Sequence, residues 1–199
     1  MDEILDITLY VTGTFERLGI PYVVGGSLAS SLHGIPRATQ DVDIVVGLTL
    51  RQVPAVAAAL APQFYLDEAA MRDAVERHTS FNVIHLGTYF KADVFVAKDD
   101  EASRLQLERA QRFELPARPD RPGRPGGAIV VASPEDVVAQ KLHWFGQGDK
   151  VSERQWSDAI GVLKVAGPRL DLAYLRRVAG LLDVEALLRR ACTEAGVAL

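Results

Sequence analysis

Cysteine is almost absent from this 199-residue chain, which contains Cys192 alone. A single cysteine cannot close a disulfide within the chain. Neither CxxC nor HExxH spacing occurs, so the sequence offers no zinc site of those kinds. These absences exclude a disulfide-stabilised secreted domain and favour a reducing cytosol as the compartment.

Long apolar runs are also missing. The longest, residues 53–61, is too short to span a bilayer, and Pro54 interrupts it. The first residues are acidic and lack the apolar core of a signal peptide. We therefore expect a cytoplasmic protein without a membrane partner.

The chain has no excess of basic charge and no common nucleotide-binding loop. Its 22 basic and 26 acidic side chains give a net charge of -4, which argues against broad electrostatic binding of nucleic acid. Neither a Walker P-loop nor a GxGxxG fingerprint is present. With 48% hydrophobic residues the composition is that of a globular protein, so its function has to be inferred from smaller motifs.

Hydrophobic periodicity and turn residues predict that helices and strands follow one another in the first part of the chain. Helices are expected at 3–18, 28–32, 50–60, 67–77 and 101–111, and strands at 22–24, 41–46, 80–86 and 91–96.

The second part of the chain is predicted to be helical. The stretch 116–127 holds four prolines, three glycines and three arginines and is typical of an exposed loop. After a short apolar run, four helices are predicted to begin at the capping residues Ser133, Ser152, Asp171 and Asp183. We expect an α/β core over 1–132 and a C-terminal helical bundle over 133–199, packed on the core.

Asp41 and Asp43 stand in a run otherwise made of valine and isoleucine. The two-residue period of a strand places both carboxylates on one face. Aspartate is rare in strands, and two like charges side by side repel, so the pair needs a positive partner. A divalent cation such as Mg²⁺ or Mn²⁺ fits, because hard cations prefer oxygen ligands.

Asp93 is a third carboxylate in a strand-like apolar run, and it is expected to join the other two acids. In a two-metal arrangement two of the acids would bridge the ions, and the third would bind metal or accept the proton of an attacking hydroxyl. Lys91 shares the face of Asp93 and is either a substrate contact or the partner of that carboxylate.

Gly25, Gly26 and Ser27 stand between a predicted strand and a predicted helix. Such a segment supplies backbone N–H groups, a close approach without a Cβ atom, and the positive end of a helix, which together suit a phosphate. Arg37, just before the paired acids, is either a phosphate contact or a surface residue.

Lys141 lies inside the apolar stripe of its predicted helix instead of on the polar face. A lysine in that position needs a negative partner, such as a triphosphate or an aspartate.

The motif from Val24 to Ser27, thirteen intervening residues, then Asp41 to Ile44 and a later Asp93, resembles the nucleotidyltransferase superfamily of polymerase-β-like fold. The closer resemblance is to small bacterial AbiEii-type toxin nucleotidyltransferases. In those proteins a helix begins with Pro-Glu-Asp and carries a lysine, and the next helix carries an arginine and an aspartate. The corresponding residues of this chain are Pro134–Asp136 with Lys141, and then Arg154 and Asp158. By their spacing alone, Arg154 and Asp158 are expected to form a surface ion pair, with a structural or site-facing role as the alternative.

The resemblance implies an α/β fold with a mixed sheet flanked by helices, followed by a C-terminal helical bundle. It also implies transfer of a nucleoside monophosphate from a metal-bound NTP, such as ATP, onto a hydroxyl group. It implies Asp41, Asp43 and Asp93 as catalytic metal ligands, and a toxin-antitoxin or abortive-infection toxin that modifies tRNA or protein and has an antitoxin-type partner. Two alternatives stay open: a non-catalytic nucleotide-binding or antitoxin-like module, and an enzyme that modifies a small cationic antibiotic.

Overall fold

The structure is a computed structural model that describes residues 2–115, 126–148 and 152–199. Seven strands lie in the described residues: β1 Tyr22–Val24, β2 Asp41–Val46, β3 Phe64–Tyr65, β4 Ser80–His85, β5 Lys91–Val96, β6 Gln111–Leu115 and β7 Gly127–Val131. The helices are α1 Asp2–Arg17, α2 Gly26–His33, α3 Val53–Leu60, α4 Glu68–Arg77, α5 Glu101–Glu108, α6 Pro134–Gln147, α7 Glu153–Ala166, α8 Leu172–Leu181 and α9 Glu185–Ala195.

The seven strands form one mixed sheet in the order β3-β4-β5-β2-β1-β7-β6. The pairs β2–β5 and β1–β7 are parallel, and the other neighbouring pairs are antiparallel. This arrangement confirms the predicted α/β class with a mixed sheet flanked by helices.

Two compact units divide the chain, and neither is continuous in sequence. The first comprises the described parts of Met1–Val24, Thr39–Asp99 and Ala110–Val131 and contains the whole sheet with α1, α3 and α4. The second comprises the described parts of Gly25–Ala38, Asp100–Arg109 and Ala132–Leu199 and contains the other helices.

The first unit has its core on one face of the sheet. In β2, Val42, Ile44 and Val46 are at most 1% exposed, whereas the residues that alternate with them are partly exposed. Helix α1 contributes a buried stripe that includes Val11 and Phe15, and it contacts β2, β7 and α3. The alternation therefore leaves the polar residues of β2 on the face opposite this core.

The second unit is built around the α6–α7 pair, to which α2, α8 and α9 add further contacts. A Cβ atom on Gly34 would lie 2.8 Å from the backbone nitrogen of Val162 in α7. Since real Cβ atoms do not come that close to backbone atoms, only glycine fits where the end of α2 meets α7.

The sequence-based prediction lacks two of the observed strands, β3 and β6. The helix expected to reach residue 111 ends at Glu108, and Arg109 and Ala110 connect it to β6. The predicted loop with Arg118, Arg121 and Arg124 lies almost wholly outside the described residues.

The predicted helix starts are confirmed at three of four positions. Ser133 accepts a hydrogen bond from the backbone nitrogen of Asp136, and Asp171 accepts one from that of Tyr174. Ser152 is the N-cap of α7 without a side-chain bond. The prediction for Asp183 is wrong, because α9 begins one residue later with Val184 as its N-cap. Across the described ranges, no helix is both long and apolar enough to cross a membrane.

Candidate functional site

The three acids predicted from the sequence lie on one face of the sheet in the first unit. β2 and β5 are parallel neighbours, and Asp43 and Asp93 are direct register partners. Asp41 stands two residues before Asp43 on the same face, opposite Lys91 of β5. With strands about 4.8 Å apart and about 6.6 Å between every second residue, these four charged residues form the corners of one small quadrilateral.

Strand β1 does not extend far enough along β2 to pair with Asp41 or Asp43. The β1–β2 register runs from Tyr22–Val46 to Val24–Ile44 and ends before Asp43 is reached. On the β5 side, the exposed Asn82 of β4 is the register partner of Asp93. Asp41 and Asp43 therefore lie at the beginning of β2, where β5 is their neighbour among the described strands, and their side chains remain partly exposed.

Asp41 and Asp93 each form a hydrogen bond with a neighbouring side chain. Thr39 Oγ1 lies 2.8 Å from Asp41 Oδ1, so the threonine hydroxyl donates to this acid. Lys91 Nζ lies 2.8 Å from Asp93 Oδ2. Its hydrogen bond with Asp93, together with the charges of Asp93, Asp41 and Asp43, raises the pKa of the Lys91 ammonium against a smaller opposing effect of burial.

The chemistry of these donors fits a hard divalent cation. Three carboxylates supply oxygen ligands of the kind that Mg²⁺ and Mn²⁺ prefer, and the ammonium of Lys91 already serves them as a positive counter-ion. In the part of the chain that the structure describes, no group of three or more His, Cys, Asp or Glu residues is arranged to hold a metal ion. A metal held by all three acids therefore requires their side chains to turn.

Gly25, Gly26 and Ser27 are placed in the second unit at the beginning of α2. Gly25 is the N-cap, and its carbonyl oxygen accepts the bond from Ala29 that closes the first turn. Gly26 has a φ of 55°, which a residue with a side chain adopts only under strain. The first N–H groups of an α-helix have no partner inside the helix, so this turn offers donors that suit an anion.

Ser27 and Arg37 are joined directly. Nη2 of Arg37 donates to Oγ of Ser27, and the guanidinium also donates from Nε to Oδ1 of Asp158 at 2.8 Å and from Nη2 to Oδ2 at 3.0 Å. Arg37 therefore links the beginning of α2 to α7 through a bidentate ion pair.

Lys141 is buried, as its helical position predicts, and its partner is Asp158. Lys141 Nζ lies 2.8 Å from Asp158 Oδ2, and both side chains are 6% exposed. Burial alone would raise the pKa of Asp158, but hydrogen bonds and charges from Arg37 and Lys141 outweigh it and lower that pKa below its ordinary value.

The expected surface pair of Arg154 with Asp158 is wrong. Arg154 is exposed, whereas Asp158 is turned inward to Arg37 and Lys141. Spacing of four on a helix permits an ion pair but does not exclude a stronger partner from another element. The apolar stripe of α7, with Asp158 between Trp156 and Ala159, is the sequence signal that would have placed this acid inside.

Sequence comparison does not identify a family. No protein-family profile matches the chain. No curated protein sequence matches it either.

Comparison of folds does find similar structures. An antigenic nucleotidyltransferase-like protein from Paracoccidioides brasiliensis matches with a TM-score of 0.51 and 19% identity, covering 94% of this chain and 91% of the other. ANT(2'')-Ia, solved in complex with adenylyl-2''-tobramycin, matches with a TM-score of 0.53 and 14% identity, covering 92% and 98%. A solution structure of ANT(2'')-Ia, described there as an antibiotic-resistance factor, matches with a TM-score of 0.50 and 17% identity, covering 98% and 99%. The chain thus has a nucleotidyltransferase-like fold over most of its length.

Proposed function

We propose that this protein is a metal-dependent nucleotidyltransferase that moves a nucleoside monophosphate from an NTP, with ATP as the first candidate, onto a hydroxyl group of an acceptor. The observation that carries the proposal is the register of Asp43 with Asp93, with Asp41 on the same strand face. Three carboxylates at adjacent positions of a sheet are costly unless they bind positive charge. Their presence in a nucleotidyltransferase-like fold supports a catalytic role.

Asp41, Asp43 and Asp93 would hold one or two Mg²⁺ or Mn²⁺ ions. Such ions neutralise the charge of the triphosphate and of the pyrophosphate that leaves. Asp93 would also accept the proton of the acceptor hydroxyl, as the bond from that oxygen to the α-phosphorus forms and the bond from phosphorus to pyrophosphate breaks. Lys91, which is bonded to Asp93, would first have to release that carboxylate.

The predicted nucleotide-binding residues all belong to the second unit, and their role is proposed separately. Gly25, Gly26 and Ser27 would bind phosphate oxygens through the amide groups that begin α2. Arg37 and Lys141 would supply positive charge, but both are bonded to Asp158. Either residue would have to leave Asp158 in order to bind a phosphate directly. Arg37 would also act indirectly, through its hydrogen bond to Ser27.

The acceptor that we propose is tRNA or protein, as in AbiEii-type toxins with an antitoxin-type partner. This choice depends on the resemblance of Pro134–Asp136, Lys141, Arg154 and Asp158 to the C-terminal pattern of those toxins. An enzyme that consumes NTP is expected in the cytoplasm, where these substrates are found. A small cationic antibiotic is the second candidate acceptor, because the acidic face of the sheet suits a cation.

The test is incubation of the full chain with each α-labelled NTP and Mg²⁺, in the presence of total tRNA, total protein or tobramycin. Label is expected in one acceptor, and Asp43→Asn is expected to reduce the transfer by at least roughly a hundredfold, as loss of electrostatic stabilisation does in other enzymes. Asp73→Asn is the matched control, since this acid is exposed on α4 and pairs with Arg77. It should leave transfer unchanged.

Each outcome has a definite meaning. Label in tRNA or protein supports the toxin-type role, and label in tobramycin supports the antibiotic-modifying role. No transfer with any NTP, while labelled NTP still binds, would favour the non-catalytic module. Transfer that survives Asp43→Asn would contradict the role of the acidic face.

A further inference from the structure

Lys91 occupies the fourth corner of the acidic quadrilateral. It is the register partner of Asp41 in the neighbouring strand, and Asp93 follows two residues later on the same face. Its ammonium nitrogen lies 2.8 Å from Asp93 Oδ2. One monovalent cation, supplied by the chain itself, therefore stands among three carboxylates that would otherwise repel each other.

The ion pair of Lys91 with Asp93 conflicts with metal binding. Oδ2 of Asp93 accepts a hydrogen bond from the Lys91 ammonium. A divalent cation close to the same carboxylate would repel that ammonium.

We propose that Lys91 is an intramolecular counter-ion that competes with the metal: it holds Asp93 when no metal is present and leaves that carboxylate when the metal arrives. This inference rests on the proposed function, because it concerns the same acids. Lys91 is well suited to such a movement. Its side chain is 41% exposed, while the Asp93 side chain is only 19% exposed, so the lysine can turn into solvent and the aspartate stays in place.

Lys91 would also reduce the electrostatic repulsion among the three carboxylates when no metal is bound. Without a counter-ion, Asp41, Asp43 and Asp93 would stand close together as three negative charges. With Lys91 among them, the strands can pair before any ligand is bound. Metal affinity is then set by a competition and is lower than three free carboxylates would give.

Metal affinity tests the proposal. Binding of Mn²⁺ is measured by electron paramagnetic resonance on the full chain with α,β-methylene ATP present, for the wild type, Lys91→Met and Lys91→Arg. Lys91→Met is expected to bind Mn²⁺ roughly thirtyfold more tightly, the effect of removing one unit charge about 4 Å from a divalent cation in a water-like dielectric. Lys91→Arg should bind as the wild type does. Lys98→Met is the control, because Lys98 is an exposed lysine beyond the end of β5.

A second readout reports whether Lys91 moves. Acetylation of lysines by an N-hydroxysuccinimide ester is followed by peptide mass spectrometry, with α,β-methylene ATP present and with or without Mg²⁺. Mg²⁺ should accelerate acetylation of Lys91 several-fold and leave Lys98 unaffected.

The inference and the proposed function fail in different ways. A wild type that binds Mn²⁺ while Lys91→Met binds it no more tightly, or while Mg²⁺ leaves the acetylation of Lys91 unchanged or slower, would overturn the competition alone. A wild type that binds no Mn²⁺ even with the nucleotide analogue would overturn the metal-dependent function and the inference with it.

Discussion

Lys141 and Asp158 form a salt bridge with 2.8 Å between Nζ and Oδ2, and both side chains are almost completely buried. Arg37 donates to the same carboxylate from a position that is 27% exposed. Asp158 therefore balances two cations, one of which is almost completely buried. This relationship makes the acid the most sensitive member of the network.

Removal of Asp158 should cost more stability than removal of Lys141. Asp158→Ala leaves Lys141 buried without its partner, and breaking a buried pair in this way costs about 3–5 kcal/mol. Lys141→Met leaves Asp158 paired with Arg37, so the expected cost is about 1.5–3 kcal/mol, the range for one hydrogen bond to a charged group. Urea unfolding at pH 7 measures both.

Arg154→Ala is the matched control on α7. Because Arg154 is exposed, its removal should change the free energy of unfolding by no more than about 0.5 kcal/mol. A larger loss for Arg154→Ala than for Lys141→Met would show that the surface pair, and not the buried network, stabilises this helix.

Because the pKa of Asp158 is lowered in the folded protein, the free energy of unfolding is expected to depend on pH in the acid range. Its pKa in the folded protein lies below the value of about 3.9 expected in the unfolded chain. The stability that the ionised group contributes is therefore fully present above pH 4 and disappears as the pH falls through the folded pKa. The difference in unfolding free energy between the wild type and Asp158→Asn should be constant from pH 5 to 7 and shrink below pH 4.

Asp136 does not disturb this comparison. Burial raises the pKa of Asp136 against the hydrogen bonds from Ser133 and Tyr174, so its own contribution to stability has the opposite dependence on pH. Both proteins contain Asp136, and its contribution cancels in the difference. A difference that grows below pH 4 would contradict the assignment for Asp158.

Gly34→Ala should destabilise the contact between the end of α2 and α7. The new Cβ would lie 2.8 Å from Val162 N and 2.9 Å from Ser30 O, and neither backbone atom can move away without shifting its helix. Such overpacking costs about 1–3 kcal/mol. Thermal or urea unfolding of the two proteins gives the value.

Gly146→Ala provides the control for Gly34→Ala. Gly146 lies inside α6, and its Cβ would be 3.5 Å from Leu187 Cδ1, an ordinary van der Waals contact. Alanine there should stabilise the helix by about 0.5–1 kcal/mol. Equal effects of the two substitutions would mean that the close approach at Gly34 is absent in solution.

Thr39→Val should impair the proposed reaction without unfolding the protein. The Thr39 hydroxyl donates to Asp41 Oδ1 at 2.8 Å and fixes the orientation of that carboxylate. Loss of such a supporting bond typically reduces metal affinity or activity by roughly 10- to 100-fold. The measurements are Mn²⁺ affinity and NMP transfer. Thr39→Ser keeps the hydroxyl and should recover most of both, and a serine variant as poor as the valine variant would remove Thr39 from the site.

The sequence was most informative where a side chain violated a local pattern. Asp41, Asp43 and Asp93 interrupt apolar strands, and the strand period placed them correctly on one face. Lys141 interrupts an apolar helical stripe and is buried as that pattern predicts.

The remaining features depend on contacts that are distant in sequence. The pairing of Arg37 with Asp158 joins residues 121 positions apart, and no local pattern encodes it. β3 has only two residues, and β6 carries mostly polar side chains, so neither gives a clear periodic signal. Both are held as strands by their neighbours in the sheet.

Anomalous scattering from Mn²⁺ would test the role of the acidic face most directly. Crystals of the full chain would be soaked with Mn²⁺ and α,β-methylene ATP, and data would be collected at the manganese absorption edge. We expect a peak within coordination distance of both Asp43 and Asp93, with Lys91 no longer bonded to Asp93. A bound nucleotide whose Mn²⁺ peak lies away from these two carboxylates would contradict the account.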